Sequence, residues 1–298
     1  MAMPPAAGAY TCPYCRIPSE GSDHTCPHCG APVDVRLRVT DSGWIEQPPI
    51  RDMARIRFSR STCQISGAYV PVAEMGLHDD DWVYFSHHSM LHTDPQVRLD
   101  NLPMKGGWKR MRAGLPLIMM TARGPGHVAF SADAPGETLA VPLMPGRGID
   151  VVEHRFLVAT GNVAYDWQNS NVWFTTRDGD DTEWHYPIGM TLDRFHAANT
   201  PGLLLLHAAG NTFIRDLAPG QRILVQPGGL IWKDQTVQMF LHFEYPRGQY
   251  WFSSARWQAK SIWLTLQGPG RIAVSSVFEH PETVGAVQNT SGATTQYW

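Results

Sequence analysis

The feature that most constrains the fold of this chain is a segment of 21 residues that occurs three times. Its copies run from Leu77 to Val97, from Leu143 to Val163 and from Leu217 to Val237, and they align without a gap. Each copy begins with Leu, passes through a turn into a run rich in aromatic or β-branched residues, and closes on Val. Such runs fit a pleated surface, so each copy predicts the order strand, turn, strand, turn, strand. The wide spacing of the copies favours a triplicated β-domain whose units share one core.

A second recurring element argues against coincidence, which is the alternative explanation of similar turns in any all-β chain. Residues 121–129 and 265–273 both place Gly-Pro-Gly between two runs of extended residues. Residues 206–214 and 65–70 are looser cases of the same pattern. In each case a strand meets glycine and resumes as a strand, as a hairpin or a tight corner requires.

The composition agrees with an all-β fold class. Charged residues make up only 17% of the chain. There are 27 Gly and 23 Pro, and such numbers are typical of a β-domain with many turns. The net charge of -3 argues against a partner such as nucleic acid or an anionic membrane. No apolar run is long enough for a membrane span, and the N-terminus shows no signal sequence. These observations predict a cytoplasmic protein.

The strongest local motif is a pair of Cys-x-x-Cys segments formed by Cys12, Cys15, Cys26 and Cys29. Each pair spans two corners of a tetrahedron and the spacer closes the loop, as a Zn²⁺ site requires. Two disulfides in a secreted module are the alternative, against which the missing signal sequence argues. Because four protein ligands leave no open position for catalysis, the predicted zinc is structural. We therefore predict a small N-terminal zinc ribbon that serves as a docking or stabilising module.

These features divide the chain into five segments. We predict a disordered start at residues 1–10, the zinc ribbon at 11–40, a linker at 41–50, the triplicated β-domain at 51–278 and a flexible tail at 279–298.

Short glycine- and proline-based motifs of the β-domain resemble those of a known family. They lie at residues 106–110, 124–126, 135–137, 145–146, 156–159, 217–220 and 268–270. With these motifs, the segment from about Gly67 to Phe278 resembles the mitochondrial-biogenesis family named for altered inheritance of mitochondria, which is common in bacteria. The resemblance implies three intertwined β-units about a pseudo-threefold axis, with a fold like that of the tryptophan RNA-binding attenuation protein (TRAP), and no established catalytic reaction. The first copy departs from the family pattern, since acidic residues 79–81 and two histidines replace its turns.

Those histidines raise an alternative function. His87, His88 and His92 suggest a cupin-like site for catalytic iron or manganese. Because His87 and His88 are adjacent, they point to opposite faces of a strand, and no His-x-His motif completes the ligand set. We therefore favour turn or interface histidines, and a solvated turn at residues 79–81. Cys63 fits a buried apolar side chain, so no catalytic or cofactor-binding residue is predicted.

The favoured hypothesis is a non-enzymatic β-scaffold or adaptor that self-assembles and binds protein partners. Five tryptophans outside the repeated segment predict a homo-oligomer interface on the β-domain. They are Trp108, Trp173, Trp184, Trp251 and Trp257. Two alternatives stay open: the cupin-like metalloenzyme, and a nucleic-acid-binding protein that uses the basic patch from Lys105 to Arg112.

Overall fold

The structure is a computed structural model that describes residues 10–19, 25–32, 40–48, 53, 55–86, 88–102, 119–178, 181–244, 261–278 and 287–291. Several predictions therefore fall outside the described residues: the start of the chain, His87, the basic patch, and the side chains of Trp108, Trp251 and Trp257. The domain boundaries stay predictions.

The described residues form antiparallel β-strands almost throughout, so the all-β prediction is confirmed. The strands before the second copy are β1 (Tyr10–Thr11), β2 (Pro18–Ser19), β3 (Ile45–Glu46), β4 (Ile56–Phe58), β5 (Ser61–Ser66), β6 (Val72–Leu77), β7 (Trp82–Phe85), β8 (Met90–Thr93), β9 (Arg98–Leu102), β10 (Met119–Arg123), β11 (Gly126–Ser131) and β12 (Glu137–Leu143). The later strands are β13 (Gly148–Val152), β14 (Phe156–Thr160), β15 (Val163–Asn169), β16 (Trp173–Asp178), β17 (Asp181–His185), β18 (Thr191–Ala197), β19 (Gly202–Ala208), β20 (Thr212–Leu217), β21 (Arg222–Val225), β22 (Leu230–Asp234), β23 (Gln238–Glu244), β24 (Ser261–Gln267), β25 (Gly270–Ser275) and β26 (Val287–Ser291). Within the described ranges the one helical element is a 3-10 turn at Pro227–Gly229.

Unit 1 comprises Met1–Gly148, Arg155–Tyr165 and Phe195–Thr212. It contains the β1-β2 hairpin, a six-stranded sheet in the order β12-β19-β14-β7-β10-β9, and a five-stranded sheet in the order β4-β5-β6-β11-β8. Both larger sheets contribute to one apolar core, in which the rings of Phe85 and Phe130 lie 4.9 Å apart. Cys63 is fully buried in this core. Burial of alternate residues on β5 shows why one face of the strand is apolar.

Unit 2 comprises Ile149–His154, Asp166–Arg194 and Phe213–Trp298. It contains two three-stranded sheets, in the orders β17-β16-β26 and β21-β24-β23. It also contains the part of a seven-stranded sheet in which β18, β13, β22, β25 and β20 follow one another. The rings of Phe174 and Phe243 meet edge to face at 5.7 Å in its interior.

The three copies of the repeated segment form the same sequence of strands. Each opening Leu is the last residue of a strand, at the ends of β6, β12 and β20. Two strands follow, which we call the first strand (β7, β13, β21) and the second strand (β8, β14, β22) of each copy. Each closing Val is buried at or next to the start of the following strand, at Val97, Val163 and Val237.

A glycine corner holds each closing Val in place. A Cβ added to Gly126 or Gly270 would lie 2.8 Å from the Cγ2 of Val97 or Val237, respectively. In the second copy, Gly202 approaches Val163 in the same way. The corner of the second copy is therefore Thr200-Pro201-Gly202. Residues 206–214 form a separate strand–glycine–strand turn, as the sequence predicted, in which Gly210 lies between β19 and β20.

The same corner is also fixed by a hydrogen bond from the backbone. The eighteenth residue of each copy accepts the N–H of the residue that follows the corner glycine: Asp94 from His127 at 2.8 Å, Thr160 from Leu203 at 2.9 Å, and Asp234 from Arg271 at 2.7 Å. Carboxylate and hydroxyl oxygens both serve because the donor is a main-chain group. The repeat is thus preserved in geometry where its residue types differ.

Candidate metal centre

Two turns of the same conformation present the four cysteines. In the first turn, the N–H of Arg16 donates to the carbonyl of Cys12 at 2.8 Å. In the second, the N–H of Gly30 donates to the carbonyl of Cys26 at 2.9 Å. Arg16 and Gly30 both adopt positive φ, 61° and 71°, which closes each turn tightly after its second cysteine. Each Cys-x-x-Cys segment therefore forms the same tight turn, and each turn presents two cysteines.

The four sulfurs converge at the spacing that zinc requires. All four Sγ atoms lie within 4.8 Å of one another, and two of the Sγ–Sγ distances, Cys12 to Cys29 and Cys15 to Cys26, are 3.7 Å. Zn–S bonds of about 2.3 Å at tetrahedral angles place sulfurs about 3.8 Å apart. Three of the cysteines are buried and Cys15 is half-buried. The cluster could therefore hold a metal ion with protein ligands at every tetrahedral position.

The closeness of the sulfurs couples their titration, so that two thiols lose a proton more easily and two hold it more tightly. A hydrogen bond from Cys15 lowers the pKa of the Cys12 thiol to about 7. The pKa of Cys26 is lowered further by hydrogen bonds from Cys12 and its other neighbours. The pKa values of Cys15 and Cys29 are raised, because their hydrogen bonds with Cys12 and the other sulfurs stabilise the protonated thiols. A bound dication would replace these shared protons.

The predicted linker holds the ribbon in unit 1. Ile45 and Met53 pack against the cluster formed by the buried cysteines, Tyr14 and Ala31. The N–H of Gln47 donates to the carbonyl of Thr212 at 2.9 Å, and Asn211 donates to Glu46 at 3.1 Å. Residues 45–47 therefore contact both the ribbon core and residues 211–212 of unit 1.

A cavity of 420 Å³ lies beside the ribbon in unit 1. Ile17 and His28 of the ribbon line it, together with Trp82, the corner at residues 200–202, and Asp80 and Asp81 of the turn at residues 79–81, which we call the acidic turn. Pockets that hold small ligands have volumes of about 300–1,000 Å³. The ring of Trp82 lies against Gly161 and has the guanidinium of Arg123 5.9 Å from its centroid. Gly161 and Arg123 therefore hold in place the aromatic ring that lines the cavity.

The acidic turn has a structural role in addition to its exposure. Asp81 accepts hydrogen bonds from the hydroxyl of Ser61 at 2.5 Å and from the N–H of Arg60 at 3.3 Å. Asp80 pairs with Arg60 at the surface. Asp81 thus ties the turn between β4 and β5 to the first copy, whereas the sequence suggested only a solvated turn.

The described histidines of the suggested cupin-like site, His88 and His92, do not form a metal cluster. His88 and His92 are exposed, and His87 is outside the described residues. His127 contacts Asp94 at the surface, with its Nδ1 3.2 Å from the carboxylate. Among the described side chains, the four cysteines are the one group that meets the geometric requirement for a metal ion. The catalytic metal site stays an untested alternative.

A buried cluster of charges in unit 2 was missed from the sequence. Asp150 on β13 accepts hydrogen bonds from Arg194 at 2.8 Å, from Lys233 at 2.9 Å and from Gln168 at 2.9 Å. Burial alone would raise the pKa of Asp150, but the hydrogen bond from Arg194 and the charge of Lys233 bring it below its usual value. The available signal was the presence of Asp150 and Lys233 inside apolar runs, where an unpaired charge is costly.

The model of a known family matches most of the β-domain. The match extends over residues 63–277 and carries the description mitochondrial biogenesis AIM24. The chain belongs to the AIM24 family. All three copies of the repeated segment lie within the matched residues, and the ribbon lies outside them. The family resemblance drawn from the sequence is confirmed.

A solved structure shows the same fold as this AIM24 family member. It is a crystal structure of a protein from Streptococcus pyogenes, with a TM-score of 0.53 and 18% sequence identity. The similarity covers 74% of this chain and 94% of that chain. No curated protein sequence matches the chain. In the described segments there is no helix with the length and apolar character needed to cross a membrane.

Proposed function

We propose that this AIM24 family member is a non-enzymatic, self-assembling β-scaffold of the cytoplasm that binds protein partners through a structural zinc ribbon. The observation that carries the proposal is the convergence of four cysteine sulfurs within 4.8 Å of one another. A metal held by four protein ligands has no open position for a substrate, so its contribution is to folding. The ribbon is then a rigid module that presents a surface.

The place of the ribbon in the chain supports a docking role. It lies outside the residues that the family model matches. Ile45 and Met53 pack on its core, which fixes it in unit 1. His28 of the second turn lines the neighbouring cavity, so the ribbon adds a wall to a concave surface. Concave surfaces with a few polar groups are where small ligands are most often held, and the exposed segment of a protein partner could occupy this one in the same way.

Elemental analysis of the purified full chain tests the metal. We expect about one equivalent of zinc per chain, and loss of most of it in Cys12→Ser, because a thiolate ligand is removed. Cys63→Ala is the matched control, since it removes a buried thiol outside the cluster and should keep the zinc. Less than half an equivalent of zinc, or iron in its place, contradicts a structural zinc site. Bound iron or manganese that His92→Ala releases would instead favour the metalloenzyme.

Affinity capture from the native host tests the docking role. Wild type and Cys63→Ala should retain a shared set of proteins that Cys12→Ser loses, because the ribbon folds around its metal. Identical sets from all three chains would contradict a ribbon-based docking site.

Light scattering tests self-assembly on the same three chains. We expect an oligomer in each, because the interface is placed on the β-domain. A monomer in every chain contradicts the scaffold, and an oligomer lost only in Cys12→Ser would move the interface to the ribbon.

A further inference from the structure

Strand pairs join neighbouring copies of the repeated segment, and copy two uses both of its strands for them. The first strand of copy one, β7, pairs with the second strand of copy two, β14. The first strand of copy two, β13, pairs with the second strand of copy three, β22. Both pairs are antiparallel, so each copy is joined to the next by the same kind of contact.

The register of these two pairs is identical. Counting from the opening Leu, residue 7 of one copy faces residue 18 of the next, as Val83 faces Thr160 and Ile149 faces Asp234. Residue 8 faces residue 17, as Tyr84 faces Ala159 and Asp150 faces Lys233. A register shared by two pairs with different side chains is set by the geometry of the repeat.

Two strands lack this pairing among the described residues. The second strand of copy one, β8, is the edge of its sheet and pairs only with β11. The first strand of copy three, β21, is the edge of its sheet and pairs only with β24. The backbone of β8 is otherwise equivalent to that of β14 and β22, since all three strands shift register at the same place in the copy. These two edges are therefore complementary halves of one more pair.

Burial shows that the missing pair leaves apolar side chains uncovered. Leu91 on β8 is 59% exposed, whereas its equivalents Leu157 and Ile231 are buried. Leu224 on β21 is 42% exposed, whereas its equivalents Tyr84 and Asp150 are buried. An exposed strand edge with apolar side chains is a template for another strand.

We propose that β8 of one copy of the chain pairs with β21 of a second copy, in the register of the two internal pairs. This inference rests on the proposed self-assembly and specifies its interface. In that register Leu224 faces Thr93, Ile223 faces Asp94 and Val225 faces His92.

The interface is of the head-to-tail kind. Each chain offers β21 as one half and β8 as the other, so every copy can contact two neighbours through different surfaces. Contacts of this kind produce rings or filaments, because each addition leaves the same pair of edges open until the assembly closes.

A mixing experiment with the full chain tests the pairing. Leu91→Lys and Leu224→Lys place a charge on an exposed edge position, so both should fold with wild-type circular dichroism. Each alone should associate at least about tenfold more weakly, since each has lost one half of the interface. An equimolar mixture should form heterodimers, because the intact β8 of one variant meets the intact β21 of the other. Analytical ultracentrifugation distinguishes these species.

Two control variants separate this interface from other apolar surfaces. Tyr69→Lys and Trp184→Lys alter exposed aromatic residues that lie on neither edge strand, and both should assemble as wild type does. An oligomer that survives Leu91→Lys and Leu224→Lys but dissociates in Trp184→Lys overturns the strand pairing and leaves self-assembly intact. A monomeric wild type overturns both.

Engineered cysteines test the register and the identity of the partner. Residues directly opposite in an antiparallel pair have Cβ atoms about 4.5–5.5 Å apart, close to disulfide geometry. Thr93→Cys with Leu224→Cys should therefore give covalent dimers and larger species on mild oxidation. His92→Cys with Leu224→Cys is the control, because a shift of one residue points the two side chains to opposite faces. A bond within a single chain, seen as lost thiols without a change of mass on the gel, overturns pairing with a second copy.

Discussion

The strand pairs β7·β14 of unit 1 and β13·β22 of unit 2 share one register but enclose different side chains. In unit 1, Tyr84 faces Ala159, and both are buried. In unit 2, Asp150 faces Lys233 at the equivalent position, and both are buried as well. The backbone hydrogen bonds of an antiparallel pair depend little on the residues that carry them, so one frame accepts either an apolar pair or an ion pair.

The difference teaches what each unit requires to be stable. The apolar pair needs only to be covered, and it gains stability in proportion to the area removed from water. The ion pair needs every partner in place, because an unpaired charge in the interior retains its full desolvation cost. The two units should therefore respond alike to changes in the backbone and differently to changes in charge.

The largest effect is expected from breaking the ion pair in unit 2. Asp150→Asn removes the charge that Lys233 and Arg194 share, and leaves the ammonium of Lys233, whose side chain is 7% exposed, without a counter-charge. Such a loss costs about 3–5 kcal/mol. Urea denaturation measures the loss in the free energy of unfolding, and hydrogen exchange on the folded protein should locate that loss in unit 2. Tyr84→Phe at the equivalent position of unit 1 is the control and should cost at most about 1 kcal/mol; equal losses would refute the contrast.

Replacing both charges should recover much of that loss. Asp150→Leu with Lys233→Met converts the pair in unit 2 to the apolar kind found in unit 1, while Arg194, which is partly exposed, can turn toward solvent. Replacement of a buried ion pair by apolar residues is neutral or stabilising in known cases, so the double variant should exceed Asp150→Asn by about 2 kcal/mol or more. A double-mutant cycle measures the coupling. If the double variant is less stable than Asp150→Asn, the strand pair β13·β22 depends on its charges.

A backbone change should affect the two units equally. Gly126 in unit 1 and Gly270 in unit 2 have φ of +133° and +140°, and a Cβ at either would meet a closing Val at 2.8 Å. Gly126→Ala and Gly270→Ala should each cost about 1–3 kcal/mol from overpacking and strain. Gly146→Ala and Gly220→Ala are the controls, since those glycines also have positive φ but have no atom within 4 Å of an added Cβ. Thermal unfolding of all four variants compares them, and a large difference between units would contradict a common frame.

The smallest effect is expected from pH, and it should have opposite signs in the two units. Burial raises the pKa of Glu137 in unit 1 from 4.5 to about 7. Its stabilising contribution is therefore complete below pH 4.5 and lost as the pH rises through 7. The lowered pKa of Asp150 in unit 2 has the reverse effect, since stability is lost as the pH falls through the folded-state value.

Glu137→Gln isolates the first of these contributions. Relative to this variant, wild type should lose stability between about pH 4.5 and pH 7, in unit 1 only. Hydrogen exchange at several pH values resolves the units. A gap between wild type and variant that does not change across this range would show that Glu137 titrates normally.

Part of the candidate site could be predicted from spacing along the chain. Cys12 and Cys15, like Cys26 and Cys29, are separated by two residues, and the turn that brings each pair together involves only its own neighbours. For the same reason the opening Leu and closing Val of each copy marked real strand boundaries. Local sequence is sufficient where the interacting groups are a few residues apart.

The rest depended on contacts between distant residues. The corner at residues 200–202 was hidden because Thr200 replaces the first glycine, and only its contact with Val163 identifies it. Asp150 meets Arg194 and Lys233 across 44 and 83 residues. No pattern along the chain states that their three strands are neighbours.

The sequence by itself determined that the chain has three strand-rich copies and a four-cysteine cluster, because turn residues, apolar runs and cysteine spacing act through short-range conformational preferences. Only the tertiary structure decided which strands pair, which charges are buried together, and that β8 and β21 lie at sheet edges among the described strands. Strand pairing joins main-chain groups that all residues share, so its partners are selected by the packing of the whole fold.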